Sequence, residues 1–314
     1  MSYAGIQKLV LDVFLAQRMD ALWSVINTLQ VVEFANLFHT NIPGSLNHFS
    51  NFFNDITDFQ IFPSDNHGII EWIFYIPEMP PISPSFYNAG YLSSLFLISN
   101  KPFVMNFAAA VGLIFLHRIT SPCCKRFSAT KKVNSKIGTL LDTNSCLRFY
   151  TEVYLQCFIF ALLNLRELDT ETVILSVKVS NIASYVTVSA GVAIPLGFFI
   201  YYYRNRAEWR EKAFQAKAFL LLDGAYIEYP EVYWPQLIFM VSFFVRRAML
   251  AITLVYWYDF LIGQVAIQFM LLTFMIILIQ WYHPRDSNYA NTLETFNEIT
   301  QLNIIIMLIC FSDF

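Results

Sequence analysis

YWPQLIFMVSFFVRRAMLAITLVYWY, residues 233–258, carries no charge except two adjacent arginines, Arg246 and Arg247. A helix rises about 1.5 Å per residue and needs about 20 mostly apolar residues to cross a hydrocarbon layer about 30 Å thick, so this run is long enough to span one. A charge at the centre of a span costs from ~2.5 to more than ~10 kcal/mol, depending on how it is measured. The two arginines therefore need a partner, a water-filled cavity or a function.

Outward from this run, apolar stretches recur at roughly 19–38, 101–117, 149–166, 181–203, 235–257, 261–282 and 298–313. The first is interrupted by Asn27, Gln30, Glu33 and Asn36, which also suits a re-entrant or surface helix. The composition agrees: of 314 residues 56% are hydrophobic and only 14% charged, where a soluble domain has about 25% charged residues. Mean hydropathy is positive. A soluble protein with a large core is excluded by the length of the nearly charge-free runs. The expected fold is an all-α integral membrane protein, a bundle of about seven transmembrane helices forming a single membrane domain over residues 1–314. No repeat, low-complexity tract or linker marks a second domain.

The distribution of basic residues sets an expected topology, because cytoplasmic loops are enriched in Lys and Arg. Residues 39–88 hold five acids (Asp55, Asp58, Asp65, Glu71, Glu78) and no Lys or Arg, whereas 118–148 holds seven basic residues and one acid, Asp142. The first segment is expected outside as a small cap and the second in the cytosol, as is the loop 204–232. The N-terminus is then cytoplasmic, and 15 of the 20 Lys and Arg lie inside. The opening residues lack the basic, apolar and small-residue regions of a secretory signal, so the first span is expected to direct insertion. The cap contains no cysteine, and hence no disulfide framework, and the chain has no N-x-Ser/Thr acceptor.

Polar residues within spans face a bundle interior or a cavity. Asn27, Gln30 and Glu33 follow one another at i, i+3; Glu152 and Gln156, and Gln264 and Gln268, stand at i, i+4. Neighbours at these spacings meet on a helix surface. They are expected to form a polar bundle interior, whether as interhelical hydrogen bonds that fix packing or as part of a permeation path. In the fourth span Thr187 and Gly191, then Ala193 and Gly197, place small residues four apart, a spacing that lets helices approach closely, and Pro195 is expected to kink it.

For the arginines the expected partner is Glu298, at similar depth in the last span and reinforced by Asn297 or Glu294. One arginine is expected to form an intramembrane ion pair with it while the other snorkels to the cytosolic boundary. Cys123 and Cys124, a few residues beyond a span and beside basic side chains, are candidates for acylation. Lys125, Arg126, Lys131, Lys132 and Lys136 suit anionic lipids at the 118–148 loop.

Enzyme signatures are missing: there is no H-E-x-x-H, G-x-S-x-G, P-loop or G-x-G-x-x-G, and the five histidines are scattered. No catalytic residue, metal ligand, cofactor or nucleic-acid partner is expected. The bilayer and other membrane protein subunits are. A voltage sensor is disfavoured by a fourth span without arginine, and a transporter by the absence of duplicated halves.

Three segments, LWSVINTLQVVEFANLFHTNIPGSL (22–46), YWPQLIFMVSFFVRRAMLA (233–251) and IQWYHPRDSNYANTLETFNEITQLNIIIMLICFSDF (279–314), resemble the TRP-like transmembrane region of large surface proteins abundant in ciliates, which carry cysteine-rich, furin-like repeats. The most specific elements are the aromatic-rich helix with Arg246-Arg247 and the triplet Phe296-Asn297-Glu298. The resemblance implies a plasma-membrane protein with a receptor, adhesion or channel-like role. The chain lacks the cysteine-rich ectodomain of that family, and its ending FSDF suggests a longer protein. The function expected is that of a non-enzymatic multipass module of a surface receptor or membrane complex, with a TRP-like cation channel or a transporter as alternatives.

Overall fold

The structure, a computed structural model, describes residues 28–31, 34, 37–38, 86–87, 91, 93–101, 104, 112, 143–168, 174–205, 234–284 and 288–310. Every regular element among them is helical, with no strand. The helices are α1 (Phe96–Ser99), α2 (Thr143–Arg166), α3 (Leu175–Arg204), α4 (Trp234–Tyr256), α5 (Leu261–Tyr282) and α6 (Asn288–Cys310). Residues 28–31 and Phe34 are also helical. Among the described residues three stretches are long and apolar enough to cross a membrane: Leu175–Tyr201, Leu237–Tyr256 and Leu261–Tyr282. The protein thus has the spans of an integral membrane protein. Helices α2 and α6 are less apolar because Gln156 and Asn164, and Glu294, Asn297, Glu298 and Gln301, interrupt them.

The helices pack in series, α3 on α2, α2 on α4, α4 on α5 and α5 on α6, with α1 resting against α2 and α3. At the centre of this arrangement α2 buries Leu155, Ile159, Phe160 and Ala161 completely. By contrast α3 leaves Ile182, Tyr185, Val186, Val192, Leu196 and Ile200 exposed among the described residues. An apolar face of that kind suits lipid, where exposure of Leu or Val carries no hydrophobic penalty.

Three helices begin earlier than their apolar runs: α2 at Thr143 rather than 149, α3 at Leu175 rather than 181, and α6 at Asn288 rather than 298. In α6, polar side chains that make these turns look like loops in sequence are satisfied locally. Thr292 and Thr295 at the start of α6 donate to the carbonyls of Asn288 (2.8 Å) and Asn291 (2.9 Å), as Ser184 does within α3 to the carbonyl of Ser180 (2.9 Å). Between helices, Gln280 Nε2 donates to Thr295 Oγ1 at 3.0 Å and fastens the polar half of α6 to α5.

Pro195 lies inside α3, which continues through it. Proline lacks the N–H that would bond the carbonyl four residues back, at Gly191. The hydroxyl of Tyr154 on α2 donates to that carbonyl at 3.1 Å, and Tyr150 reaches the neighbouring Ala190 carbonyl at 3.4 Å. A bilayer core offers no bulk water to the freed group, and here a side chain from a neighbouring helix supplies the bond. Tyr150, Tyr154 and Phe158 stand at i, i+4 and i+8 on the face of α2 that meets α3. Tyr154 stacks on Phe158 (centroids 5.4 Å, 11°) and meets Phe244 of α4 edge-on (5.2 Å, 80°). Gly191 makes the approach possible, since a Cβ there would lie 2.7 Å from the Phe158 ring.

Candidate functional site

The arginines of α4 diverge. Arg246 Nη1 donates to Glu298 Oε2 of α6, forming an ion pair whose side chains are only 9% and 3% exposed. In a low-dielectric interior the pair offsets desolvation of its members only when further hydrogen bonds engage them. Gln301, one turn beyond Glu298, donates from Nε2 to Thr28 Oγ1 at 3.3 Å and ties α6 to the helical residues 28–31.

Arg247 does not snorkel. It is 1% exposed, its Nη1 donates to the carbonyl of Thr151 on α2 at 2.7 Å, and its Cζ lies 4.3 Å from the centroid of the Phe243 ring. The physical reason is that α2 supplies a carbonyl and Phe243 of α4 an aromatic face, which together stabilise a guanidinium without water. Adjacent residues on a helix point about 100° apart, so one arginine serves the α4–α6 contact and the other the α4–α2 contact.

The polar residues expected in the bundle interior separate into different places. Gln30 and Gln268 are buried, whereas Gln156 is half-buried. Gln264, fully buried, serves a local purpose: Nε2 donates to the carbonyls of Thr253 (3.1 Å) and Trp257 (2.9 Å), closing the turn between α4 and α5. Asn27 and Glu33, the Glu152 side chain, and Cys123 and Cys124 lie outside the described residues, as do the cap 39–85 and most of both expected cytoplasmic loops. Among the described residues no three His, Cys, Asp or Glu side chains come together as a metal site.

A second polar centre escaped the sequence reading. Asn164 of α2 accepts at Oδ1 from the backbone N–H of Phe96 (3.0 Å) and from Ser180 Oγ (2.8 Å), and donates from Nδ2 to Asn181 Oδ1 (2.8 Å). Ser180 Oγ in turn accepts from the Leu97 N–H at 3.3 Å. Side chains of two long helices thereby satisfy the first N–H groups of short α1, which its own turns leave without partners. The spacing Ser176, Ser180, Ser184 was the available signal. Arg166, at the last turn of α2, donates from Nη1 to the Val255 carbonyl and lies 4.2 Å from the centre of the Tyr258 ring, joining α2 to the end of α4. A cation at helical carbonyls also complements the helix dipole.

Chemically, the arginine–glutamate centre can hold helices in register. No family model, curated protein or solved structure matches this chain.

Proposed function

We propose that the protein is the helical membrane module of a surface receptor or membrane complex, without catalytic activity of its own. In this reading about seven spans cross the plasma membrane, with the N-terminus and the loops 118–148 and 204–232 in the cytosol and the 39–88 cap outside. Other membrane protein subunits and anionic lipids are its partners. The resemblance to the TRP-like region of ciliate-type cysteine-rich surface proteins points to the same role, and rests on the residues quoted above.

The observation that carries this reading is the disposition of the buried charges. Arg246 engages a carboxylate on α6 and Arg247 a carbonyl on α2, so both are used to join helices. A TRP-like channel would need a re-entrant pore segment between its last two bundle helices. Residues 283–287 are all that lie between α5 and α6, the last two helices here, and only residues 257–260 separate α4 from α5, where the Phe260 N–H donates to the Trp257 carbonyl at 2.9 Å. Purified protein in planar bilayers is expected to carry no selective unitary current. Reproducible single-channel conductance, altered by Arg246→Gln, would replace this function with ion conduction.

A further inference from the structure

Where α4, α5 and α6 meet, the buried polar atoms with no hydrogen-bond partner among the described residues include Arg246 Nε, Gln268 Nε2 and Gln301 Oε1. All three side chains, together with that of Arg247, line one small cavity of about 10 Å³, bounded by apolar groups that include Leu250, Leu272 and Ile304. That space is about the minimum that holds one water molecule. The chemistry of the wall is specific as well. Arg246, Arg247 and Gln268 Nε2 can only donate there and Gln301 Oε1 accepts, so the complementary occupant accepts at least twice and donates at least once. A halide could take the donors but would face the Gln301 carbonyl oxygen. The amide of Gln301 is oriented by its bond from Nε2 to Thr28 Oγ1 at 3.3 Å, which keeps the oxygen available to the cavity.

We infer that this cavity is a binding site for one internal water molecule, which accepts from Gln268 Nε2 and Arg246 Nε and donates to Gln301 Oε1. The water joins two otherwise separate bonds, the Arg246–Glu298 pair and the Gln301–Thr28 bond. The result is a continuous polar connection through α4, α5, α6 and the helical residues 28–31. It also hydrates the edge of the Arg246 guanidinium that Glu298 does not reach, as a buried cation requires.

X-ray hydroxyl-radical footprinting of the full chain in lipid nanodiscs, read by peptide mass spectrometry, tests this, because radicals form where water is bound. Leu250 and Leu272, both 2% exposed, line the cavity, while Leu155 and Leu163, at 0% and 2%, lie in the apolar core of α2. Oxidation of the first two is expected to run several-fold faster than that of the second two. Gln268→Leu, which replaces a donor by an apolar group of similar size, should bring the cavity leucines down to the reference rate. Equal rates in the unmodified protein would show a dry cavity and overturn the site, whether or not the variant folds. A cavity rate that falls as chloride replaces gluconate would assign the space to an anion and equally overturn it.

Discussion

The carbonyl of Gly191, which Pro195 leaves without its helical donor, accepts a 3.1 Å hydrogen bond from the hydroxyl of Tyr154 on the neighbouring helix. A proline in one span and a tyrosine in another thus form a single unit. Tyr154→Phe keeps the stacking on Phe158 but leaves that carbonyl buried and unbonded, which should cost about 1–3 kcal/mol. Pro195→Ala restores the N–H, so Tyr154→Phe in that background should cost measurably less. Thermal unfolding of the four proteins in detergent measures the coupling, and equal costs in both backgrounds would separate the two residues.

Breaking the buried ion pair should be more damaging. Arg246→Gln and Glu298→Gln are each expected to destabilise by about 3–5 kcal/mol, because each strands the opposite charge. The double variant should cost less than their sum. Arg247→Gln should couple more weakly to Glu298→Gln, since the hydrogen bond of Arg247 runs to the Thr151 carbonyl. Strict additivity for Arg246 and Glu298 would remove the pair.

Two glycines of α3 should respond in opposite ways to alanine. At Gly191 the added methyl meets the Phe158 ring at 2.7 Å, whereas at Gly197 nothing among the described residues lies within 4 Å. Gly191→Ala is expected to destabilise by about 1–3 kcal/mol through overpacking. Gly197→Ala should be neutral or raise stability by roughly 0.5–1 kcal/mol, from the lower backbone entropy of alanine. A large loss at Gly197 in detergent-solubilised protein would show that another surface packs there.

Asn164→Leu removes the acceptor shared by the Phe96 N–H and the Ser180 hydroxyl. The expected loss is about 1–3 kcal/mol. Because this side chain accepts the first N–H of α1, amide exchange at Phe96 should accelerate more than exchange in the middle of α4. Uniform acceleration would mean that Asn164 supports the whole bundle instead of α1.

The proposed topology is tested independently of any of these contacts. Single cysteines at Asn51 and Ser135, in an otherwise cysteine-free chain, should differ in reaction with an impermeant reagent on intact cells. Labelling at Asn51 alone is expected, and labelling at Ser135 alone would invert the orientation.

What could be read without tertiary structure was whatever depends on local composition. The apolar runs 235–257 and 261–282 coincide with α4 and α5 to within a residue or so, because an uninterrupted run is helical wherever backbone polar groups cannot reach water. Depth along the helices was enough to name Glu298 for one of two arginines, since a carboxylate near the same level is the cheapest way to neutralise a buried guanidinium. Which arginine it serves depends on rotation about the axis of α4, and that angle is set by packing against α2 and α6. The same holds for Arg247, whose partner is a backbone carbonyl that no side-chain pattern reveals. It holds for Asn164, which bonds residues 68 and 16 positions away. It holds finally for Tyr154, since the sequence announces at Pro195 that a carbonyl is freed, but only the approach of α2 over Gly191 decides what bonds it.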